Sequence, residues 1–252
     1  MNFTYDRVWA DLVAMVRANA ALLATLAGAF LFLPSFALWL FAPMPEPPTG
    51  GGGDGGEGLR FIMDYYRGNW PGLLLVSVVS TFGQAAIVSL LLDRNRPTVG
   101  EALAKAGRLF PMYFLLGIMT SLAMGFGFFL LFVPGIYLLG RLTVAGPVMI
   151  GENVANPIEA IRRGWIYTKG LGWRIAGLIL LIGITGWIGF SAISSVLGVV
   201  AGLVLPTEAS ALVKAFADAL GGAALALLVA VLTAAIYRQL RGGDSALPDI
   251  FS

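Results

Sequence analysis

The sequence predicts an all-α fold, a polytopic membrane bundle of six transmembrane helices with three amphipathic helices at the cytoplasmic interface. Three observations predict it. Of 252 residues, 58% are hydrophobic and only 12% charged, about half the charged share of an ordinary soluble domain. The mean hydropathy is +0.84. The apolar residues gather into six runs, each near the roughly 20 residues that a helix needs to cross a bilayer core.

In chain order the runs are 20–42, 71–92, 111–133, 134–151, 172–197 and 215–237. Ahead of the first, helical winding of 4–18 puts Tyr5, Val8, Trp9, Leu12 and Val16 on a face opposite Arg7 and Asp11. Asp6 and Asp11, and the absence of a small-residue cleavage pattern after the apolar run, argue against a signal peptide. Residues 43–58, "PMPEPPTGGGGDGGEG", read as a flexible Pro/Gly linker outside the membrane. Tyr65, Tyr66 and Trp70 follow where an interfacial aromatic belt belongs.

"TVGEALAKAGRLF" (98–110) opens with Thr98 and Glu101 at capping-box spacing. Val99, Ala102, Leu103, Ala106 and Phe110 share one face, with Glu101, Lys105 and Arg108 on the other. Pro134 and Gly135 break the next apolar stretch into a third and a fourth span. "NPIEAIRRGWIYTKG" (156–170) repeats the opening device with Asn156, Pro157 and Glu159. It gathers Ile158, Ile161 and Trp165 beside Arg162 and Arg163, and Lys169 closes it. The chain thus reads as three units, each an interfacial helix followed by a helical hairpin. The stretch 172–205 exceeds one simple crossing and predicts a bend or a short extra helix. Gly183, Gly186, Gly189, Gly198 and Gly202 predict close helix contacts. Lys214 and Asp218, four apart, read as an ion pair.

Basic residues orient the bundle. With a cytoplasmic amino terminus, twelve of the sixteen fall in cytoplasmic segments, and only Arg60, Arg67 and Lys214 fall outside. The expected product is one six-span domain over 1–241 with both termini cytoplasmic and a short tail, 242–252. Arg141 is the exception, alone within an apolar span.

Zero Cys and zero His remove thiol chemistry, the usual base near neutral pH and the commonest metal ligand. "GFS" at 189–191 has no base to pair with as an intramembrane serine nucleophile. No catalytic residue, metal site or cofactor is expected, and a net charge of +2 gives no case for nucleic acid.

Arg141 lies eleven residues before Glu152, or roughly 16 Å at 1.5 Å per residue. Counted in the same way, Gln84, Thr120, Ser121 and Thr185 fall at similar depth. The expected partners of the guanidinium are Gln84 and Thr185, with carbonyls freed by Pro134 or Pro147. Such a group is either a structural lock or a site for a lipid phosphate or another anion. Lys105, Arg108, Arg162, Arg163 and Lys169 are expected to meet the membrane surface.

"RPTVGEALAKAG", "VPGIYLLGRLTVAGPVMIGE", "NPIEAIRRGWIYTKGLGWRI" and "IYRQLR" together resemble a family of bacterial integral membrane proteins. It comprises the membrane domain of glycerophosphoryl diester phosphodiesterases and its stand-alone relatives. The resemblance covers roughly residues 70–241 and implies a six-span protein of the bacterial inner membrane. It implies no catalytic residues, because phosphodiesterase activity in the fused members belongs to a separate soluble domain. The expected function is non-enzymatic: organising or binding lipid, anionic phospholipid included, or partner membrane proteins or further copies of the chain. The alternative is a small transporter or channel, with Arg141 lining a pathway for anions or lipid headgroups.

Overall fold

The structure, a computed structural model, describes residues 3–43, 55–93 and 98–244, and every regular element among them is helical. Among the described residues, six helical stretches are long and apolar enough to cross a membrane: Tyr5–Phe41, Gly58–Leu92, Val99–Leu130, Phe132–Gly151, Gly172–Val204 and Thr207–Gly242. The chain is a multi-pass membrane protein, as the hydropathy predicts.

The first span is compound. Helix α1 (Tyr5–Ala27) loses helical dihedrals at Asn19 (φ −127°, ψ 18°), whose amide donates to the Met15 carbonyl at 3.0 Å. Beyond it, a π-helical turn (Gly28–Phe32) leads into α2 (Leu33–Phe41). Pro34 accounts for the widened turn: it has no N–H to return to Phe30, and Leu33 instead reaches the Gly28 carbonyl. Helix α3 (Gly55–Leu92) already includes residues 55–58, so the end of the expected linker is helical, while 44–54 lie outside the described residues. Tyr66 and Trp70 are exposed, and Tyr65 donates to the Ala42 carbonyl at 2.9 Å.

Helix α4 (Val99–Leu130) starts at the expected capping box. Thr98 Oγ1 accepts from the Glu101 N–H, and the Glu101 carboxylate accepts from the Thr98 N–H at 2.8 Å. It then runs on through Pro111, so 98–110 is the first part of a span and not a separate interfacial helix. The break before the fourth span falls at Leu131, which is extended (φ −160°, ψ 139°), and not at Pro134. Pro134 instead occupies the first turn of α5 (Phe132–Leu142), where its missing N–H costs no helical bond. A turn at Thr143 and Val144 separates α5 from α6 (Ala145–Gly151).

Helix α6 ends in a Schellman motif: Asn153 takes a left-handed φ of 55°, and the Val154 N–H returns to the Met149 carbonyl at 2.9 Å. Asn156 then caps α7 (Pro157–Tyr167), accepting from the Ile158 and Glu159 N–H groups. Of the three expected interfacial helices, this one is a separate element, and the first, 4–18, is set off from its span by the break at Asn19. Gly170, with φ of 77°, makes the turn into α8 (Gly172–Val204), which is a single 33-residue helix with no break or extra piece after the expected crossing. At about 1.5 Å per residue it approaches 50 Å, more than a 30 Å core, so tilt or projection takes up the excess. Of its expected contact glycines, Gly183, Gly189 and Gly202 face open space, while two meet α9 (Thr207–Asp244): Gly186 lies tight against Leu225, and Gly198 is in ordinary contact with Lys214.

Spans differ in how deeply they sit. Half or more of the apolar window is buried in Phe132–Gly151 (56%) and Thr207–Gly242 (50%), against 11% in α4 and 17% in α8. α5, α6 and α9 therefore form the centre. α4 and α8 turn side chains such as Phe129 and Leu203 outward, the residues that lipid would cover.

Candidate functional site

Two charged side chains, each held by its own set of neighbours, lie at the end of the bundle where α6, α7 and the start of α8 come together. Arg141, in the last turn of α5, is 3% exposed. Its guanidinium carbon stands 4.1 Å from the centre of the Trp165 ring on α7 and 5.9 Å from that of Tyr137 on α5. Tyr137 in turn touches Trp173 on α8. Gly140 makes this possible, because any side chain there would strike the Gly172 carbonyl, and Gly172 itself lies against the aliphatic stem of Arg141. The Arg141 carbonyl accepts from Thr168 Oγ1, which also donates to Gly164.

The partners expected from depth counting are not assembled. Thr185 is exposed on α8, and Gln84 lines a cavity elsewhere in the bundle. Nε and Nη1 of Arg141 are buried without a hydrogen-bond partner, and no carboxylate lies within ion-pair distance among the described residues. Counting back from Glu152 placed Arg141 too deep. It is level with the first turn of α8, where Arg174 is exposed and its carbonyl approaches Tyr5 at the start of α1.

The second charge is Glu152, just past α6, with a side chain 9% exposed. Its Oε2 accepts from Arg163 Nη1 at 2.8 Å, and its Oε1 accepts from Tyr167 (2.8 Å) and Tyr237 (3.1 Å). Arg163 Nε also donates to Glu159 at 2.7 Å, and Arg162 makes two further bonds to that carboxylate. Glu159 is thereby turned from the capping role that its spacing predicts into an arginine clamp. Burial raises the Glu152 pKa, but the bonds from Arg163, Tyr167 and Tyr237 outweigh it and hold the carboxyl below its ordinary value. Glu159, bonded first by Arg162 and then by Arg163, falls to about 2. Tyr167 is pushed up to about 12 by burial and by its bond to Glu152.

Sequence reading missed this cluster. Its members lie in the motif stretches "MIGE", "RRGWIYT" and "IYRQLR", but Glu152 and Tyr237 are 85 positions apart, and no local period links them.

The basic surface divides in two. Lys105 pairs with Asp93 at 3.3 Å, and Arg162 and Arg163 are held by glutamates. Arg108 and Lys169, with Arg7, Arg174 and Arg238, are exposed and have no acidic partner within 4 Å among the described residues. Arg94 and Arg96 lie outside those residues. Near the start of α9, the expected Lys214–Asp218 pair forms at 2.7 Å, and Ser194 also donates to Asp218.

Among the described residues, no three His, Cys, Asp or Glu side chains converge as a metal site would require. Comparison of the chain with known protein families, with curated proteins and with solved structures finds no match in any of the three.

Proposed function

We propose that the protein is a non-enzymatic component of the bacterial inner membrane that binds anionic phospholipid at its cytoplasmic end. The observation that supports this reading is the set of exposed cations at one end of the bundle that have no acidic partner among the described residues: Arg7, Arg108, Lys169, Arg174 and Arg238. They stand on four different spans and on the α7–α8 turn, so the positive charge surrounds that end. Each such residue near a bilayer surface attracts anionic headgroups by about 1 kcal/mol. Lys105, Arg162 and Arg163, which the sequence places in the same role, spend their charge on carboxylates within the protein.

The test is lipid selectivity in nanodiscs that mix phosphatidylglycerol and phosphatidylcholine. Replacing Arg108, Lys169 and Arg174 with Gln is expected to lower markedly the enrichment of phosphatidylglycerol around the protein. Replacing Arg162 alone is expected to change it little. Unchanged selectivity in the triple variant refutes lipid binding by these residues.

A further inference from the structure

A cavity of about 240 Å³ lies between α3, α4, the α5–α6 turn and α9. None of its lining residues is exposed, so it is a crevice within the bundle rather than a surface dent. Six polar side chains line it in a membrane-spanning region: Thr81, Gln84, Tyr113, Thr120, Thr143 and Thr233. No charged residue does. Arg141 is absent although its neighbours Leu142 and Thr143 are present.

The hydrogen-bonding capacity of the walls is largely unspent. Thr120, Thr143 and Thr233 give their protons to carbonyls of their own helices, which leaves oxygen lone pairs as acceptors. The Gln84 amide and the Tyr113 hydroxyl make no hydrogen bond to the described residues. Pro147 also lines the cavity, and its missing N–H leaves the Thr143 carbonyl without its i+4 donor. Polar groups at this depth are costly to leave unmatched. Acceptors outnumber donors, and no counter-charge is present to balance an ion.

We propose that this cavity binds an uncharged hydroxyl-bearing group, which donates to Gln84, the threonines or the Thr143 carbonyl and accepts from Tyr113. The volume would hold roughly eight waters at about 30 Å³ each and is below the usual range for a whole drug-sized ligand. The guest is therefore either the polar head of a neutral lipid whose chains remain in the bilayer, or a small free polyol.

The experiment uses a diazirine-bearing hexadecanol on the full-length protein in nanodiscs, with adducts mapped by peptide mass spectrometry. Adducts are expected at the cavity walls, at Met124 or Val229. Excess dioctanoylglycerol should compete them away if the natural guest is a lipid head, and excess glycerol should do so if it is a free polyol. Gln84→Met and Tyr113→Phe should each lower the wall adducts about fivefold, the loss of one hydrogen bond. Tyr113→Phe removes one oxygen only and keeps the test valid if Gln84→Met disturbs folding. Labelling confined to outward residues such as Phe129, wall adducts that neither competitor displaces, or wall adducts unchanged in both variants would overturn the proposal and leave a cavity that holds water.

Discussion

Arg141 and Glu152 lie eleven residues apart and are held in opposite ways. Glu152 accepts three hydrogen bonds from α7 and α9, one of them from a cation. Arg141 has aromatic faces on one side and backbone on the other, with two nitrogens unpartnered. A carboxylate fixed by directed donors ties three elements into one geometry. A guanidinium held by ring faces is held by a softer, less directional field, worth about 2 kcal/mol when dry. The difference separates a group on which the fold depends from one that the fold tolerates.

The largest expected effect comes from removing the acceptor. Glu152→Ala leaves Arg163, Tyr167 and Tyr237 without it and should cost about 2–4 kcal/mol. It would be read as a lower detergent-resistance midpoint and faster exchange of the α7 amides. If the variant is as stable as the parent, the comparison collapses.

Acid should act on the same group more gently. The carboxyls of Glu152 and Glu159 are held below their ordinary value of 4.5, so their contribution is complete above that pH. It is lost as pH falls from 4.5 toward 2, through the depressed folded-state values. Amide exchange in α7 should rise over that window, and the fluorescence of Trp165, which stands on the same helix, should change with it. The five other tryptophans need replacing with Phe for that reading.

Trp165→Leu takes the nearer ring from Arg141 and is expected to cost about 1–2 kcal/mol, by the same detergent assay. The smallest effect is predicted for Arg141→Met, within about 1 kcal/mol of the parent or slightly stabilising, since an apolar chain of similar length needs no partner. A loss as large as that of Glu152→Ala would show that the guanidinium has a strong partner of its own.

What could be read from the sequence follows from which signals are local. Composition and run length yield the six spans, and i to i+3 or i+4 spacing yields the Thr98 box and the Lys214–Asp218 pair. Residues 98–110 and the end of 172–204 show where that reading stops. An amphipathic face or a long run says nothing about whether a helix ends, so Pro111 was passed through and α8 ran on unbroken. Depth counting failed at Arg141 for a related reason. It assumes that rise along one helix equals depth, but a turn at 143–144 divides this span, and α7 folds back so that Trp165 reaches the guanidinium. Of the polar layer predicted at one depth, Gln84 and Thr120 do share a cavity, because they stand on neighbouring helices, α3 and α4.

One further contact joins the two ends of the described chain. Gln239, near the end of α9, donates its amide to the Thr4 carbonyl at the start of α1, and the two helices pack along their length. Of the six spans, the first to be synthesised thus rests against the last. Until α9 arrives, Val8, Leu12 and Leu23, all buried in the finished bundle, lack part of their enclosure. Biogenesis then has a waiting period whose length grows with the number of residues still to be translated. During it, α1 is the element on which a membrane chaperone or a quality-control protease would have the longest hold.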